Sequence, residues 1–171
     1  LFAIFSFMGW LLEVVYRSIE HRRFVNPGYL CGPFVPIYGV GGLAVMIAGV
    51  FLADSPLPVQ MAVFACLTTL LEFAAGVVLE KLFGHRLWSY EGYRFSVKGI
   101  ICLRYSLIWA VLAWVFWYLI FPVTYLVICA VPDMTTRFAA AGFVLYLGTD
   151  LVFSTLSMLD FFRRVKRVYE G

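Results

Sequence analysis

Residues 9–24 read GWLLEVVYRSIEHRRF, a stretch that begins like a membrane-spanning helix and ends in a basic loop. Glu13 interrupts the apolar run, and Arg17 follows it by four residues. This spacing, with the acid first, favours an ion pair on one face of a helix. A charge at the bilayer centre costs about 2.5–3.5 kcal/mol on insertion scales, so the pair predicts a polar site inside the membrane.

The whole chain has the composition of a membrane protein. Of its 171 residues, 63% are hydrophobic and 13% are charged, whereas a soluble domain carries about 25% charged residues. Its mean hydropathy is +0.92. Lipid must solvate this much apolar surface, so we predict an all-α, polytopic transmembrane helix bundle that forms a single integral membrane domain over residues 1–171. The run that starts at Leu1 predicts a span rather than a cleaved signal peptide.

Five apolar stretches are long enough, at about 20 residues, to cross a bilayer as helices. They cover residues 1–19, 34–53, 59–83, 100–121 and 137–161. The prolines of DSPLP (54–58) predict a turn between the second and third spans, because proline does not continue a helix. PVTYLVICAVP (122–132) is too short to cross and is bounded by prolines, so it predicts an interfacial or re-entrant segment. If it crosses, the count becomes six.

The basic residues predict the orientation. With five spans, 12 of the 13 lysines and arginines fall on one side of the membrane, and Arg137 falls on the other. Positive charges mark the cytoplasmic side, so we expect the N-terminus outside and the C-terminus, RRVKR (163–167), in the cytoplasm. The net charge of +3 indicates contact with anionic lipid headgroups and not with nucleic acid.

Polar side chains recur at helical spacing inside the predicted spans. Glu72, Gly76 and Glu80 share one side of the third span, and Asp150 belongs to a polar stripe on the last. Charges that face lipid are costly, so these stripes should turn inward and meet. We therefore predict a polar cavity, open to the cytoplasmic side, lined by Glu13, Arg17, Glu72, Glu80, Arg104 and Asp150. The alternative is a dry ion-pair network that fixes helix register.

Two connecting segments add to this site. NPGYLCGPFVPIYGVGG (26–42) is too rich in glycine and proline to start as a regular helix, and its free N–H groups favour an anion such as a phosphate or a carboxylate. Asn26 and Tyr38 are predicted to add polar contacts, although tight packing alone would also explain the glycines. GHRLWSYEGYRFSVKG (84–99) mixes aromatic and basic residues and predicts a membrane-hugging loop, or else a lid over the site.

Most motifs of catalysis and metal binding are missing from the sequence. The four cysteines are scattered singly, and the two histidines, His21 and His85, lie beside arginines in polar loops. No phosphate-binding loop, nucleophile elbow or zinc-protease motif occurs. We therefore predict no cofactor, no metal and no catalytic residue, and ATP hydrolysis would have to come from another chain.

Three stretches carry a resemblance to a known family. They are FSFMGWLLEVVYRSIEHRRFVNPGYLCGPFVPIYGVGG (5–42), LEFAAGVVLEKLFGHRLWSY (71–90) and GIICLRYSLIW (99–109). In these motifs and their order, the chain resembles the bacterial multi-pass membrane proteins of the ABC-transporter type IV family over about residues 5–110. The last third matches in hydropathy alone. The resemblance implies a permease-like subunit of the bacterial cytoplasmic membrane and an ATPase partner encoded elsewhere.

The family pattern maps onto a set of residues that includes much of the predicted site. These are Gly9, Trp10, Glu13, Arg17, Asn26, Gly28, Gly32, Pro33, Pro36, Tyr38, Gly39, Glu72, Gly76, Glu80, Trp88, Tyr90, Gly99 and Trp109. The chain departs from the family after Trp88, where Ser89 replaces the more usual acid, and near Phe95 or Ser96, where the family more usually has an asparagine.

Three functions are consistent with these features. The first is a transport-type membrane subunit that binds a small polar solute or a lipid headgroup in the cavity, works with a separate ATPase and forms a homodimer, since five spans are few for a pathway. The second is an intramembrane enzyme for a lipid or prenyl substrate, with Glu13 or Glu72 as acid or base, and Arg17 and Arg104 on a phosphate. The third is a membrane scaffold or assembly factor.

Overall fold

The protein is built almost entirely of helices. The computed structural model describes residues 1–84, 86 and 88–170; beyond Phe161 it describes the helical backbone and, of the side chains, that of Arg164. In chain order the elements are α1 (Phe2–His21), α2 (Pro36–Phe51), α3 (Leu57–Phe83), the strands β1 (Ser96–Val97) and β2 (Ile101–Cys102), α4 (Leu103–Val115), a π-helical turn (Phe116–Ile120), α5 (Phe121–Cys129) and α6 (Asp133–Glu170). The predicted all-α class is confirmed. Predictions that used His85, Arg163, Lys166 and Arg167 fall outside the described side chains.

In the part of the chain that the structure describes, four helices have the length and composition of membrane spans. They are Phe2–His21, Leu57–Phe83, Leu103–Cys129 and, within α6, Asp133–Phe161. The fifth apolar helix, α2, has 16 residues and measures about 24 Å at 1.5 Å per residue, which is somewhat less than the hydrocarbon thickness of a bilayer. The outer surfaces of these helices carry many exposed leucine, valine and phenylalanine side chains, as lipid contact requires.

The segment 122–132 differs from its prediction as a separate interfacial or re-entrant segment. Residues up to Cys129 continue the fourth helix, and the chain turns into α6 between Ala130 and Pro132. The π-helical turn explains why Pro122 does not end the helix. The N–H of Phe121 donates to the carbonyl of Phe116, five residues back, and this wider turn accommodates the proline ring. Residues 103–129 therefore form one continuous helical span, and the fifth apolar stretch lies within α6.

Glycines allow α1 and α2 to pack closely. A Cβ atom added at Gly9 would overlap the ring of Tyr38, and one added at Gly39 would overlap the hydroxyl of Ser6. Small residues are favoured where two membrane helices approach, because they bring the backbones close. On its other side, α2 packs on α3 and α4 around the buried residues Val45, Phe64 and Ala113. The order of packing is therefore α1 on α2, α2 on α3, and α3 on α4.

Candidate functional site

A cavity of about 560 Å³ lies between α1, α2, α3 and α4. Most of its wall is apolar, and its polar side chains gather at the end nearest the loop that joins α3 to α4. Four residues of the predicted site line this cavity: Glu13, Arg17, Tyr38 and Glu72. The geometry of these four residues determines what the cavity can bind.

Glu13 and Arg17 form the ion pair that their spacing predicts. The Nε atom of Arg17 lies 3.0 Å from Oε2 of Glu13. The side chains are 18% exposed for Glu13 and 40% exposed for Arg17, so the pair lies at the rim of the cavity and not in its interior. Tyr38 faces the same carboxylate from α2. The charge of Glu13 is therefore already matched inside the protein.

Glu72 is more deeply buried and has no cationic partner among the described residues. It is 5% exposed. The phenol of Tyr90 donates a hydrogen bond of 2.9 Å to Oε1, while Oε2 is buried without a hydrogen-bond partner in the described part of the chain. The indole N–H of Trp109 faces the same carboxylate without completing a hydrogen bond. One acceptor oxygen thus remains available inside the cavity.

The loop between α3 and α4 covers the polar side of α3. Glu72 lies 11 residues before Phe83, the end of α3, or about 16 Å along the helix axis, yet Tyr90 reaches it. The indole N–H of Trp88 donates to the carbonyl of Ile100 at 2.9 Å. This hydrogen bond joins the beginning of the loop to its end. The predicted membrane-hugging loop therefore folds back between the helices.

A short hairpin fixes this loop. Ser96 pairs with Cys102, and Val97 pairs with Ile101, in antiparallel register. The turn between the strands includes Gly99, whose φ of +65° is costly for residues other than glycine. Ile100 and Cys102 are 2% and 1% exposed, so the hairpin is anchored by apolar burial against α3.

Tyr90 donates its hydrogen bond to Glu72 as a neutral phenol. Burial raises the pKa of its phenol well above the ordinary value, and the adjacent Glu72 carboxylate raises that pKa further. Its ring also stacks on Tyr105, with centroids 4.6 Å apart. Tyr90 therefore holds the Glu72 carboxylate in a fixed position.

Replacing Gly76 with valine should displace this loop. A Cβ atom at position 76 would overlap Ile100 and crowd Trp88, and both belong to the part of the loop that rests on α3. We expect amide hydrogen exchange over residues 88–102 to become at least tenfold faster. The matched control is Gly148→Val, because Gly148 lies within helix α6 and no atom lies within 4 Å of a Cβ added there. Unchanged exchange in Gly76→Val would contradict this packing.

Glu80 and Arg104 lie outside the cavity. Glu80 accepts from Nε of Arg86 at 2.9 Å, and Arg86 also pairs with Glu91 at 2.7 Å, so this network belongs to the loop. The guanidinium of Arg104 lies over the rings of Tyr93 and Tyr105, 5.9 and 6.0 Å from their centroids. The expected grouping of acids around Arg17 and Arg104 is therefore not what the structure shows.

Asp150 binds the segment that precedes α2. Its two carboxylate oxygens accept from the backbone N–H groups of Cys31 and Gly32 at 3.2 and 3.0 Å, and Ser154 donates to it at 3.0 Å. The free N–H groups of residues 26–42 were predicted to bind a carboxylate or phosphate anion. Here that anion is a carboxylate of the chain itself, and it attaches α6 to the segment.

Asn26 also stabilises this segment. Its Oδ1 accepts from the indole of Trp10 at 2.6 Å, and its Nδ2 donates to the carbonyl of Cys31 at 3.0 Å. The structure therefore brings Glu13, Arg17, Tyr38 and Glu72 together and places the other four predicted residues elsewhere. The prediction omitted the aromatic residues around Glu72, namely Trp88, Tyr90 and Trp109, although the family pattern contains all three. No group of three or more histidine, cysteine, aspartate or glutamate side chains within the described ranges could hold a metal ion.

Comparison with known proteins identifies one family. A family model described as "Putative ABC-transporter type IV" matches residues 1–155, a longer region than the motifs at 5–110. Comparison with curated proteins gave no match, and comparison with solved structures gave none either.

Proposed function

Because the chain belongs to the family described as "Putative ABC-transporter type IV", we propose that it is the membrane subunit of a transporter and that its cavity binds the transported molecule. The molecule would be a small polar solute or a lipid with a polar headgroup. The chain contains no phosphate-binding loop, so a separate ATPase subunit would supply the energy. With the five apolar helices that the described residues form in each copy, a pathway would be shared between two copies of the chain.

One observation carries this proposal: the unpaired oxygen of Glu72 in the cavity. A buried acceptor without a partner costs about 1–3 kcal/mol, and the cost is higher for a carboxylate far from water. A protein that tolerates this arrangement gains from it when a donor or a cation binds. The cavity volume also lies within the usual range for sites that hold small molecules.

The orientation that we propose places this end of the cavity toward the cytoplasm. Among the segments that connect the helices, those after α1 and after α3 contain Arg22, Arg23, Arg86, Arg94 and Lys98, whereas residues 52–56 and 130–132 contain no lysine or arginine. Basic segments are retained on the cytoplasmic side. These two segments would also be the surfaces available to an ATPase subunit. Cysteine labelling of intact cells at position 22 and at position 54 tests the orientation, with accessibility expected at 54 from outside.

The enzymatic alternative has less support. It requires Arg17 and Arg104 to hold one phosphate, but Arg17 pairs with Glu13 and Arg104 lies over two tyrosine rings. A scaffold role would account for Asp150 and Asn26, whose hydrogen bonds join segments of the chain. It would not account for the unpaired oxygen of Glu72.

The test is co-purification of small molecules and lipids with the protein. We expect the wild-type chain to retain one molecule at near-stoichiometric occupancy, detected by mass spectrometry after organic extraction. Glu72→Gln should lower this occupancy at least tenfold, because the amide removes the negative charge while keeping the size of the side chain. The proposal fails if Glu72→Gln retains the same molecules as the wild type.

The matched control is Glu91→Gln. This carboxylate belongs to the same loop region but is exposed and pairs with Arg86, so its neutralisation should leave the occupancy unchanged. Both variants should melt within a few degrees of the wild type in detergent. If Glu91→Gln lowers the occupancy as much as Glu72→Gln, the loss reflects the loop and not a carboxylate in the cavity, which also contradicts the proposal.

A further inference from the structure

The cavity opens sideways between two helices. In the packing order from α1 to α4, the first and last helices are the ends of a curved row. Helix α1 meets α4 at one end through the hydroxyls of Tyr16 and Tyr105, 3.5 Å apart. Farther along, α1 meets the π-helical turn after α4 through the rings of Phe5 and Phe116, whose centroids are 4.7 Å apart. Between these two contacts, the cavity has a wall on the α2 and α3 side and an opening on the other.

The border of this opening on α1 is apolar. Met8, Leu11, Leu12 and Val15 line the cavity, and 37–52% of the surface of each remains accessible. Side chains that line a cavity and keep this much accessible surface indicate that the cavity is widely open along α1. These residues occupy the middle of α1, a helix with the length and composition of a membrane span, so the opening faces the hydrocarbon of the bilayer and not water.

The polar end of the cavity favours a cation. Its charged side chains are the two carboxylates of Glu13 and Glu72 and the one guanidinium of Arg17, which leaves one formal negative charge in excess. Arg17 is within ion-pair distance of Glu13, so the excess charge belongs to Glu72 in its carboxylate form, the form that a bound cation favours. A bound cation would complete the ion pair that this buried carboxylate lacks.

Aromatic rings surround the same end. Trp88, Tyr90 and Trp109 line the cavity beside Glu72, and the ring of Tyr38 meets that of Trp109 at 65°, with centroids 5.5 Å apart. Aromatic faces attract ammonium groups, and several rings together are a recurrent site for alkylated ammonium ions. An anionic headgroup at this end would meet the carboxylate of Glu72, which repels it.

From these features we propose that the cavity binds an amphiphile with one cationic ammonium headgroup, which lies against Glu72, while its alkyl chain leaves between α1 and α4 into the bilayer. This inference rests on the proposed function and specifies the class of molecule that the transporter would carry. The polar end and the lateral opening are parts of one cavity, so a single ligand can occupy both.

Photocrosslinking tests the inference. The probe is an alkyltrimethylammonium with a diazirine in the middle of a twelve-carbon chain, added to the full chain in nanodiscs of zwitterionic lipid. We expect crosslinks on α1 between Met8 and Val15 and on α4 near Leu112 and Val115, mapped by peptide mass spectrometry. Dodecyltrimethylammonium should compete at least tenfold better than dodecylsulfonate or tetramethylammonium, because only it has both the charge and the chain.

Two variants address the two ends of the ligand. Glu72→Gln should reduce crosslinking at least tenfold by removing the charge, and Leu12→Trp should do so by filling the opening while leaving the carboxylate in place. Their controls are Glu91→Gln and Leu70→Trp; Leu70 is 66% exposed on α3 and does not line the cavity. Because the two effects have separate causes, loss of folding in one variant leaves the other as a test.

The outcomes separate this inference from the proposed function. If tetramethylammonium competes as well as the long-chain amine, the cavity binds a polar solute, and the amphiphile inference is wrong although the proposed function stands. If the sulfonate competes equally or better, the cationic headgroup is wrong. If crosslinks cover the outer surface equally in all variants, the probe does not bind in the cavity and this inference is wrong, whereas the proposed function is still decided by ligand retention in the wild type and in Glu72→Gln.

Discussion

Gly9→Val should destabilise the protein by about 3 kcal/mol, the upper part of the usual range for overpacking. Three atoms of Tyr38 would overlap a Cβ at this position, and the Tyr38 ring cannot move aside easily because it packs against Trp109. For a chain of this size, the loss corresponds to a melting temperature lower by about 10 °C, measured by thermal unfolding in detergent. Since Tyr38 lines the cavity, the same variant should also lose retained ligand.

Gly41→Val is the control for this prediction. Gly41 lies on α2 near the same interface, but no atom lies within 4 Å of a Cβ added there. The change should therefore alter the melting temperature by no more than a few degrees. If Gly9→Val and Gly41→Val melt at the same temperature, the close approach of α1 and α2 through Gly9 is contradicted.

Asp150→Ala should cost a similar amount, about 3 kcal/mol. The change leaves the N–H of Gly32 without the acceptor seen in the structure and removes one of two acceptors from Cys31. A fully buried group left unpaired costs about 1–3 kcal/mol, and these N–H groups are partly buried. Because Asp150 joins α6 to the segment before α2, limited proteolysis should cut between residues 26 and 35 at least tenfold faster.

Asp160→Ala is the matched control on the same helix. Asp160 is half exposed and pairs with Arg164 one turn along α6, and pairs of this kind contribute about 0.3–0.5 kcal/mol. We expect no measurable change in proteolysis of residues 26–35. Equal rates in Asp150→Ala and the wild type would mean that the segment is held by its own contacts and not by α6.

The ion pair of Glu13 and Arg17 could be predicted from sequence because both residues belong to one helix. A spacing of four residues places them on the same face whatever the rest of the protein does. The same holds for the Glu72, Gly76 and Glu80 stripe on α3. Sequence reasoning was right about these local relations but grouped Glu80, Arg104 and Asp150 with them, which the structure does not support.

Those three residues find partners in segments whose path helical periodicity does not predict. Glu80 pairs with Arg86 in the loop after α3, and Asp150 binds the backbone of Cys31 and Gly32. The cost of burying a charge requires that a partner exist, but it does not say which part of the chain supplies it. Any element that reaches the charge satisfies the requirement equally well.

The fold class and the apolar helices follow from composition and hydropathy. Each segment that crosses the bilayer must satisfy its own backbone hydrogen bonds, because polar backbone exposed to lipid is costly. Only helices and closed barrels meet this requirement. The site does not follow in this way. Which carboxylate stays unpaired depends on how the loop over residues 84–102 folds back along α3, and that path depends on Gly76, Ile100 and Trp88 meeting across long separations in the chain. Tertiary packing therefore decides that Glu72 is the group left facing the cavity.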